Sequence, residues 1–143
     1  MPNGRGRKDR GYPAVEEIAG KISSLERMGS FEAEALVEYG EKMGKLLARE
    51  VRLKTTQIRK FLDAVNKISA ESAGEEEHFP FRERAILLKP KLAYAAGRQD
   101  EVKPLMKVLA SCIDRVKDGQ DFDKFARFVE SIVAYHRYYG GKD

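Results

Sequence analysis

The sequence predicts an all-α fold, a compact bundle of five or six helices, and three observations support this prediction. Apolar residues recur at spacings of three and four along most of the chain, which is the period of a helix buried on one face. No segment of four or more residues alternates between apolar and polar side chains, as a half-buried strand would. Charged residues make up 35% of the chain, and long helices with one solvated face accommodate that much charge.

Two parts of the chain differ in composition. Residues 1–12 are rich in glycine and arginine and have no periodic apolar pattern, which predicts a disordered basic arm. Such an arm is compatible with contact to nucleic acid and equally with a solvated tail. Residues 13–143 have the length and the apolar content of a single helical domain.

The first two helices are predicted over residues 13–28 and over residues 30–52. Ser30 is the expected N-cap of the second helix, because its hydroxyl can accept a hydrogen bond from a free backbone N–H. Gly40 and Gly44 weaken this helix, but they also permit close packing against a neighbour.

The third helix is expected to begin at a cap formed by Thr55 or Thr56. The polar segment over residues 69–80 then predicts the main surface loop. A fourth helix is predicted over residues 81–96, and Pro90 inside it either kinks one helix or separates two.

The fifth helix is predicted to start at Asp100 and to close at Gly119, and Asp121 is expected to open the last one. The last helix has an apolar face so wide that we expect it at the centre of the bundle or shared with a partner. Its apolar positions are Phe122, Phe125, Phe128, Val129, Ile132, Tyr135 and His136.

Motifs of the common catalytic and cofactor sites are absent from the sequence. It contains no phosphate loop, no dinucleotide-binding turn and no nucleophile elbow, so no catalytic residue and no cofactor is predicted. Cys112 is the single cysteine, which excludes a disulfide within the chain and a cysteine zinc site, and it is interpreted as a buried hydrophobe. His136 is interpreted as a core histidine bonded to backbone, and no metal site is predicted. Because neither a secretory signal nor a membrane-spanning run is evident, we expect a cytoplasmic protein.

The basic residues gather in two clusters, and the net charge is +4. The first cluster has a single acid, Glu50, among its residues, and the second surrounds Pro90 and Tyr94. Solvated helix faces would explain either cluster alone, but two of them favour binding to phosphate groups. The first cluster comprises Lys42, Lys45, Arg49, Arg52, Lys54, Arg59 and Lys60, and the second comprises Lys89, Lys91 and Arg98.

Three stretches of the sequence are unusual in combination. They are TTQIRKF at residues 55–61, LLKPKLAYAAGR at residues 87–98, and residues 125–141 with the ending VAYHRY at residues 133–138. In this order and spacing they resemble the small subunit of the type III-A CRISPR effector, the Csm complex. The resemblance covers roughly residues 30–141.

The resemblance implies a non-catalytic helical subunit, present in several copies, that lines the channel for the duplex of guide RNA and target RNA. Its implied partners are the target strand, the backbone and large subunits, and other copies of itself, while RNA and DNA cleavage belong to those other subunits. Because pairing with the guide supplies the sequence, the protein contacts should go to the sugar–phosphate backbone. The predicted RNA-binding residues are Arg49, Arg52, Lys54, Arg59, Lys60, Lys89, Lys91, Arg98 and Arg137.

Two other functions remain open from the sequence. The chain could be a stand-alone helical interaction module, a dimer without an RNA role. In isolation it could associate through the apolar residues Phe122, Phe125, Val129 and Ile132 of its last helix. A metal-dependent nuclease would use His78 and the glutamates before it.

Overall fold

Helices follow one another with short connections in the computed structural model, which describes residues 11–143. Seven α-helices occur in this part of the chain, together with a 3-10 turn at Met28–Ser30, a π turn at Leu47–Val51 and a 3-10 turn at Asp100–Val102. The seven are α1 (Pro13–Ser23), α2 (Ala33–Leu46), α3 (Thr55–Ser72), α4 (Phe81–Ile86), α5 (Leu88–Arg98), α6 (Lys103–Ile113) and α7 (Gly119–Tyr138). No strand is present in the described residues, so the all-α prediction is confirmed.

A break between α4 and α5 shows that the region of Pro90 forms two helices and not one kinked helix. Pro90 lies in the first turn of α5 and has no N–H to donate to the carbonyl of Ile86, four residues earlier. The helical pattern is interrupted at Leu87, between these two residues. α4 and α5 are therefore two halves of the predicted fourth helix, and the bundle has six helical units.

The last helix, α7, forms the centre of the bundle, as its wide apolar face predicted. It packs along α2 and also contacts α3 and the first 3-10 turn. Three of its phenylalanines each contact a phenylalanine from a different segment. These ring pairs are Phe31–Phe128 at 5.3 Å, Phe61–Phe125 at 6.4 Å and Phe81–Phe122 at 5.6 Å between centroids.

The prediction that the apolar face of α7 would mediate dimers is wrong. The four residues concerned are buried within one copy of the chain by α2, α3 and α4, so they are not available to a second copy. Their exposed fractions are 1% or less at Phe122, Phe125, Val129 and Ile132.

Glycines in α2 allow the close approach of α2 and α7. A Cβ at Gly40 would lie 2.5 Å from Oγ of Ser131, and one at Gly44 would lie 2.7 Å from the backbone N of His136. His136 itself is fully buried, and its Nε2 lies 2.7 Å from the carbonyl oxygen of Leu53. The interpretation of His136 as a core histidine bonded to backbone is therefore confirmed.

Several predicted helix caps differ from those in the structure. Glu32, not Ser30, precedes α2, and Lys54 precedes α3, while the hydroxyl of Thr55 is buried and has no hydrogen-bond partner within residues 11–143. Asp100 begins the second 3-10 turn and is not the N-cap of α6. In this part of the chain no side chain caps α2, α3 or α6, so residue type alone did not predict where these helices begin.

Asp121 was expected to open α7, but Asp118 occupies that N-cap position and accepts a hydrogen bond from the backbone N–H of Asp121. Asp121 is instead fully buried in the first turn. Its carboxylate accepts hydrogen bonds from Arg27 Nε at 3.0 Å, from the Gly29 N–H at 2.7 Å and from the Lys117 N–H at 2.9 Å. Asp121 thus ties the first 3-10 turn to the start of α7.

The predicted basic arm over residues 1–12 lies outside the described residues except for its last two. Of these, Tyr12 is half-buried, packs against the core and accepts a hydrogen bond from the N–H of Val15. One continuous cluster of buried apolar side chains runs from Val15 to Val133 and draws on all seven helices. No helix in residues 11–143 is long and apolar enough to cross a membrane.

Candidate nucleic-acid interface

A groove of about 380 Å³ opens between α3 and α5 and ends against α6. Its floor is made of buried apolar side chains, namely Phe61, Leu92, Val102 and Leu105. Its rim is polar and largely exposed, and consists of Gln57, Lys60, Lys91, Tyr94, Arg98 and Gln99. We call this feature the α3–α5 groove. It brings together Lys60, Lys91 and Arg98, three of the residues that the sequence predicted to bind RNA.

Helical spacing explains which basic side chains reach the α3–α5 groove. Lys60 lies one turn after Gln57 on the same face of α3, and on α5 Lys91 lies about two turns before Arg98. Arg59 is exposed but falls about 100° further round α3, and it does not line the groove. Lys60 and Arg59 are therefore neighbours in the sequence, yet Lys60 lines the groove and Arg59 does not.

The lysines of the groove rim carry positive charge that no described carboxylate neutralises. Within residues 11–143, no carboxylate forms an ion pair with Lys60 or Lys91. The guanidinium of Arg98 lies 5.8 Å from the ring centroid of Tyr94, and its Nη1 lies 3.4 Å from the Tyr94 hydroxyl. The rim therefore presents positive charge and one aromatic ring to solvent.

Lys89 differs from the other predicted residues of its cluster. It lies two residues before Lys91, on another side of α5, and its Nζ is 2.5 Å from a carboxylate oxygen of Asp114. The positive charge of Lys89 is therefore already paired with a carboxylate in the turn that follows α6. Lys42 of the first cluster is similarly paired with Glu17 at 3.3 Å, and this hydrogen bond raises the pKa of Lys42.

A second basic surface surrounds the end of α2 and the end of α7. The guanidinium of Arg49 lies 4.9 Å from the ring centroid of Tyr139, and Nζ of Lys45 lies 5.5 Å from it. Arg52, with φ of 63°, takes the left-handed conformation that ends the π turn. The two remaining predicted residues, Lys54 and Arg137, are exposed.

Comparison with known proteins adds to this geometry. Residues 30–142 match the model of the family described as Csm2 Type III-A. The chain belongs to the Csm2 family. It is 30% identical over 116 residues to the CRISPR system Cms protein Csm2 of Streptococcus thermophilus, covering 77% of this chain and 95% of that protein. It is 28% identical over 97 residues to the Csm2 proteins of two Mycobacterium tuberculosis strains, covering 64% of this chain and 78% of each relative.

Csm2 is the small subunit of the type III-A CRISPR complex, so the resemblance noted in the sequence is confirmed. The family match includes every helix from α2 to α7, and hence the whole α3–α5 groove and the second basic surface. α1 precedes the match, yet it packs against α2 and α6 and belongs to the same hydrophobic core.

His78 and Cys112 are residues that metal or thiol chemistry could use in this Csm2-family chain. Within residues 11–143, no group of three or more His, Cys, Asp or Glu side chains could hold a metal ion. The side chain of His78 is 89% exposed and lies 3.8 Å from Glu77. Cys112 is fully buried as predicted, and this burial raises the pKa of its thiol.

Sequence reasoning missed the aromatic part of the second basic surface. Tyr135, Tyr138 and Tyr139 form a group of contacting rings at the end of α7, which we call the tyrosine cluster. Three tyrosines within five residues beside Arg137 were a visible signal. Only the tertiary contacts showed that Lys45 and Arg49 of another segment lie over Tyr139.

Proposed function

We propose that this Csm2-family chain is a non-catalytic subunit that lines the channel for the guide–target RNA duplex and binds the RNA backbone through lysine and arginine side chains. It acts in several copies beside the backbone and large subunits of the complex. The target strand is its main RNA partner. The observation that carries the proposal is the α3–α5 groove, where Lys60, Lys91 and Arg98 converge on an open rim.

The chemistry of the rim favours phosphate groups over base edges. Lysine and arginine side chains neutralise phosphates and release counterions, whatever the sequence of the nucleic acid. The only amide side chains at the rim are Gln57 and Gln99. A surface of this kind suits a subunit that must accept every target chosen by the guide.

The remaining predicted residues extend the same interface. Arg49, Arg52 and Lys54 continue the positive charge from the end of α2 to the start of α3, and Arg59 adds to it beside the groove. Arg137 contributes from the end of α7. Lys89 requires that its ion pair with Asp114 open before it can meet a phosphate, so we expect its contribution to be the weakest.

The test is a titration of the full chain with RNA over a series of salt concentrations. Replacing Lys60, Lys91 and Arg98 by glutamine should weaken binding, and it should lower the slope of log K against log salt by about 0.7–0.9 per lost phosphate contact. Arg59→Ala should also weaken binding, with the same proportional loss for every target sequence.

Arg127→Gln is the matched control, because it removes an exposed cation of α7 that is paired with Asp123 and lies outside the groove. It should leave both the affinity and the salt slope unchanged. The proposal fails if the groove variant and the control behave alike. It also fails if Arg59→Ala changes which targets are preferred while the mean affinity stays constant.

A further inference from the structure

The end of α7 carries an aromatic surface that the backbone contacts proposed above do not use. Tyr138 is 75% exposed and Tyr94 is 69% exposed, the two highest values among the large apolar side chains of residues 11–143. Arg98 lies over the ring of Tyr94, whereas Tyr138 contacts Tyr139, the ring over which Lys45 and Arg49 lie. Tyr94 belongs to the α3–α5 groove, whereas Tyr138 belongs to the tyrosine cluster.

We propose that the tyrosine cluster is a stacking site for an unpaired nucleotide of single-stranded RNA, with Tyr138 as the platform. This inference rests on the proposed function and extends it to a second kind of contact. A base in a duplex already stacks on its neighbours, so the ligand class is an unpaired nucleotide.

The ring of Tyr138 is held in place although it is exposed. Its centroid lies 5.0 Å from that of Tyr139 and 6.3 Å from that of Tyr135, and both ring pairs are inclined at 84°. A ring that is already oriented loses little conformational entropy when a base stacks on it. Near-perpendicular pairs at these distances are also a favourable arrangement for aromatic side chains.

The surroundings of the tyrosine cluster favour a polyanion over an apolar partner. Lys45 and Arg49 lie over the ring of Tyr139, and Arg137 precedes Tyr138 in α7. Within residues 11–143, none of these three cations forms an ion pair. The nearby carboxylate of Glu41 accepts a hydrogen bond from the Tyr139 hydroxyl.

The tyrosine cluster and the α3–α5 groove are joined through the start of α3. The backbone N–H of Thr55 donates to the carbonyl oxygen of Lys142 at 2.8 Å, which holds the residues after α7 against the first turn of α3. Lys54 is exposed at this junction, and Gln57 and Lys60 of the groove rim follow within two turns. The start of α3 is therefore attached to the residues that follow the tyrosine cluster and leads along α3 into the groove rim.

The experiment uses the full chain and a short single-stranded RNA that carries 2-aminopurine, together with the same RNA annealed to its complement. Stacking on Tyr138 should quench the fluorescence of the single strand. Tyr138→Phe should keep the quenching, because the ring remains and the Tyr138 hydroxyl has no hydrogen-bond partner in residues 11–143. Tyr138→Leu should abolish it and weaken single-strand binding by roughly tenfold while leaving duplex binding unchanged.

Control variants separate this proposal from the proposed function. Lys60→Gln should weaken binding of single strand and duplex alike without removing the quenching at saturation. If Tyr138→Leu retains the quenching and the single-strand affinity, the stacking site is wrong while the groove stands. Loss of a protein subunit from the purified complex of Tyr138→Leu, with RNA affinity unchanged, would also overturn it. If the wild-type chain and complex bind neither RNA, both proposals fail.

Discussion

Arg27 and the cations of the α3–α5 groove have opposite surroundings. Arg27 meets two carboxylates, with Nη2 at 2.6 Å from Asp118 and Nε at 3.0 Å from the buried Asp121. Lys60 and Lys91 lie on an open rim and, within the described residues, have no carboxylate partner. The same class of side chain therefore stabilises the fold in one region and remains available for an anionic ligand in the other.

We call the ion pairs of Arg27 with Asp118 and Asp121 the Arg27 site. The largest expected effect on stability comes from removing Asp121, its buried carboxylate. Asp121→Ala leaves the part-buried N–H groups of Gly29 and Lys117 without this acceptor and removes the buried charge that Arg27 meets. We expect the free energy of unfolding to fall by about 3 kcal/mol, measured by urea denaturation. A loss no larger than that of an exposed control such as Asp123→Ala would contradict the contrast between the two regions.

The close approach of α2 to α7 should have the next largest effect. In Gly44→Ala the new Cβ would lie 2.7 Å from N of His136 and 2.8 Å from O of Ile132, both backbone atoms that cannot move aside easily. We expect a loss of about 1–3 kcal/mol in the free energy of unfolding.

Gly20→Ala is the control for this substitution, because Gly20 lies in α1 and an added Cβ would meet no atom of another described segment within 4 Å. This variant should instead gain up to about 1 kcal/mol from the higher helix propensity of alanine. If both substitutions changed stability in the same direction, the close packing of α2 on α7 would not be the cause.

Acid should remove the stabilising contribution of Asp121 to the Arg27 site. Burial opposes ionisation of Asp121, but the hydrogen bonds from Arg27, Lys117 and Gly29 outweigh it and hold the pKa of this carboxyl below its ordinary value. Its contribution to stability is complete above the ordinary aspartate pKa of about 3.9 and is lost as the pH falls through the lower pKa of the folded state. The difference in unfolding free energy between wild type and Asp121→Asn should therefore shrink in acid, as urea denaturation at several pH values would show. A difference independent of pH would refute this assignment.

The smallest effect on stability is expected at the groove. Replacing Lys60, Lys91 and Arg98 together by glutamine should change the free energy of unfolding by no more than about 0.5 kcal/mol per site, since all three side chains are exposed. Thermal denaturation of the same protein used for RNA titration measures this directly. A marked loss of stability would show that these cations stabilise the fold. They would then not differ from Arg27 in this respect.

Much of the fold was predictable from apolar spacing alone. The wide apolar face of residues 122–136 placed α7 at the centre, and Gly40 and Gly44 indicated close packing before the contacts were known. The caps predicted at Ser30 and Thr55 are wrong, because no side chain caps α2 or α3 in the described residues and Thr55 is buried in the first turn. Residue type favours a cap, but the tertiary structure decides where each helix begins. The alternative of a dimer through the apolar face of α7 is contradicted because the chain's own helices cover that face.

The candidate site was predictable in its residues but not in its geometry. Lys60, Lys91 and Arg98 were named from two basic clusters, and the structure places them around one groove. Arg59 belongs to the same motif as Lys60 but does not line the groove, because consecutive residues of a helix are rotated by about 100° around its axis. The cations over Tyr139 come from α2, with Lys45, and from the π turn, with Arg49, which no local pattern in α7 could indicate.

The sequence by itself determined the helical class, the central position of α7 and the family resemblance, because periodicity and motif spacing are local properties of a chain. Only the tertiary structure decided which cations remain unpaired. Lys89 meets a carboxylate 25 residues away and Arg27 meets one 94 residues away, whereas the fold brings none to Lys60 or Lys91 among the described residues. Whether a positive charge stabilises the protein or remains available to a ligand depends on carboxylates that are distant in the sequence. Coulomb attraction depends on the separation of two charges in space and not on their separation along the chain.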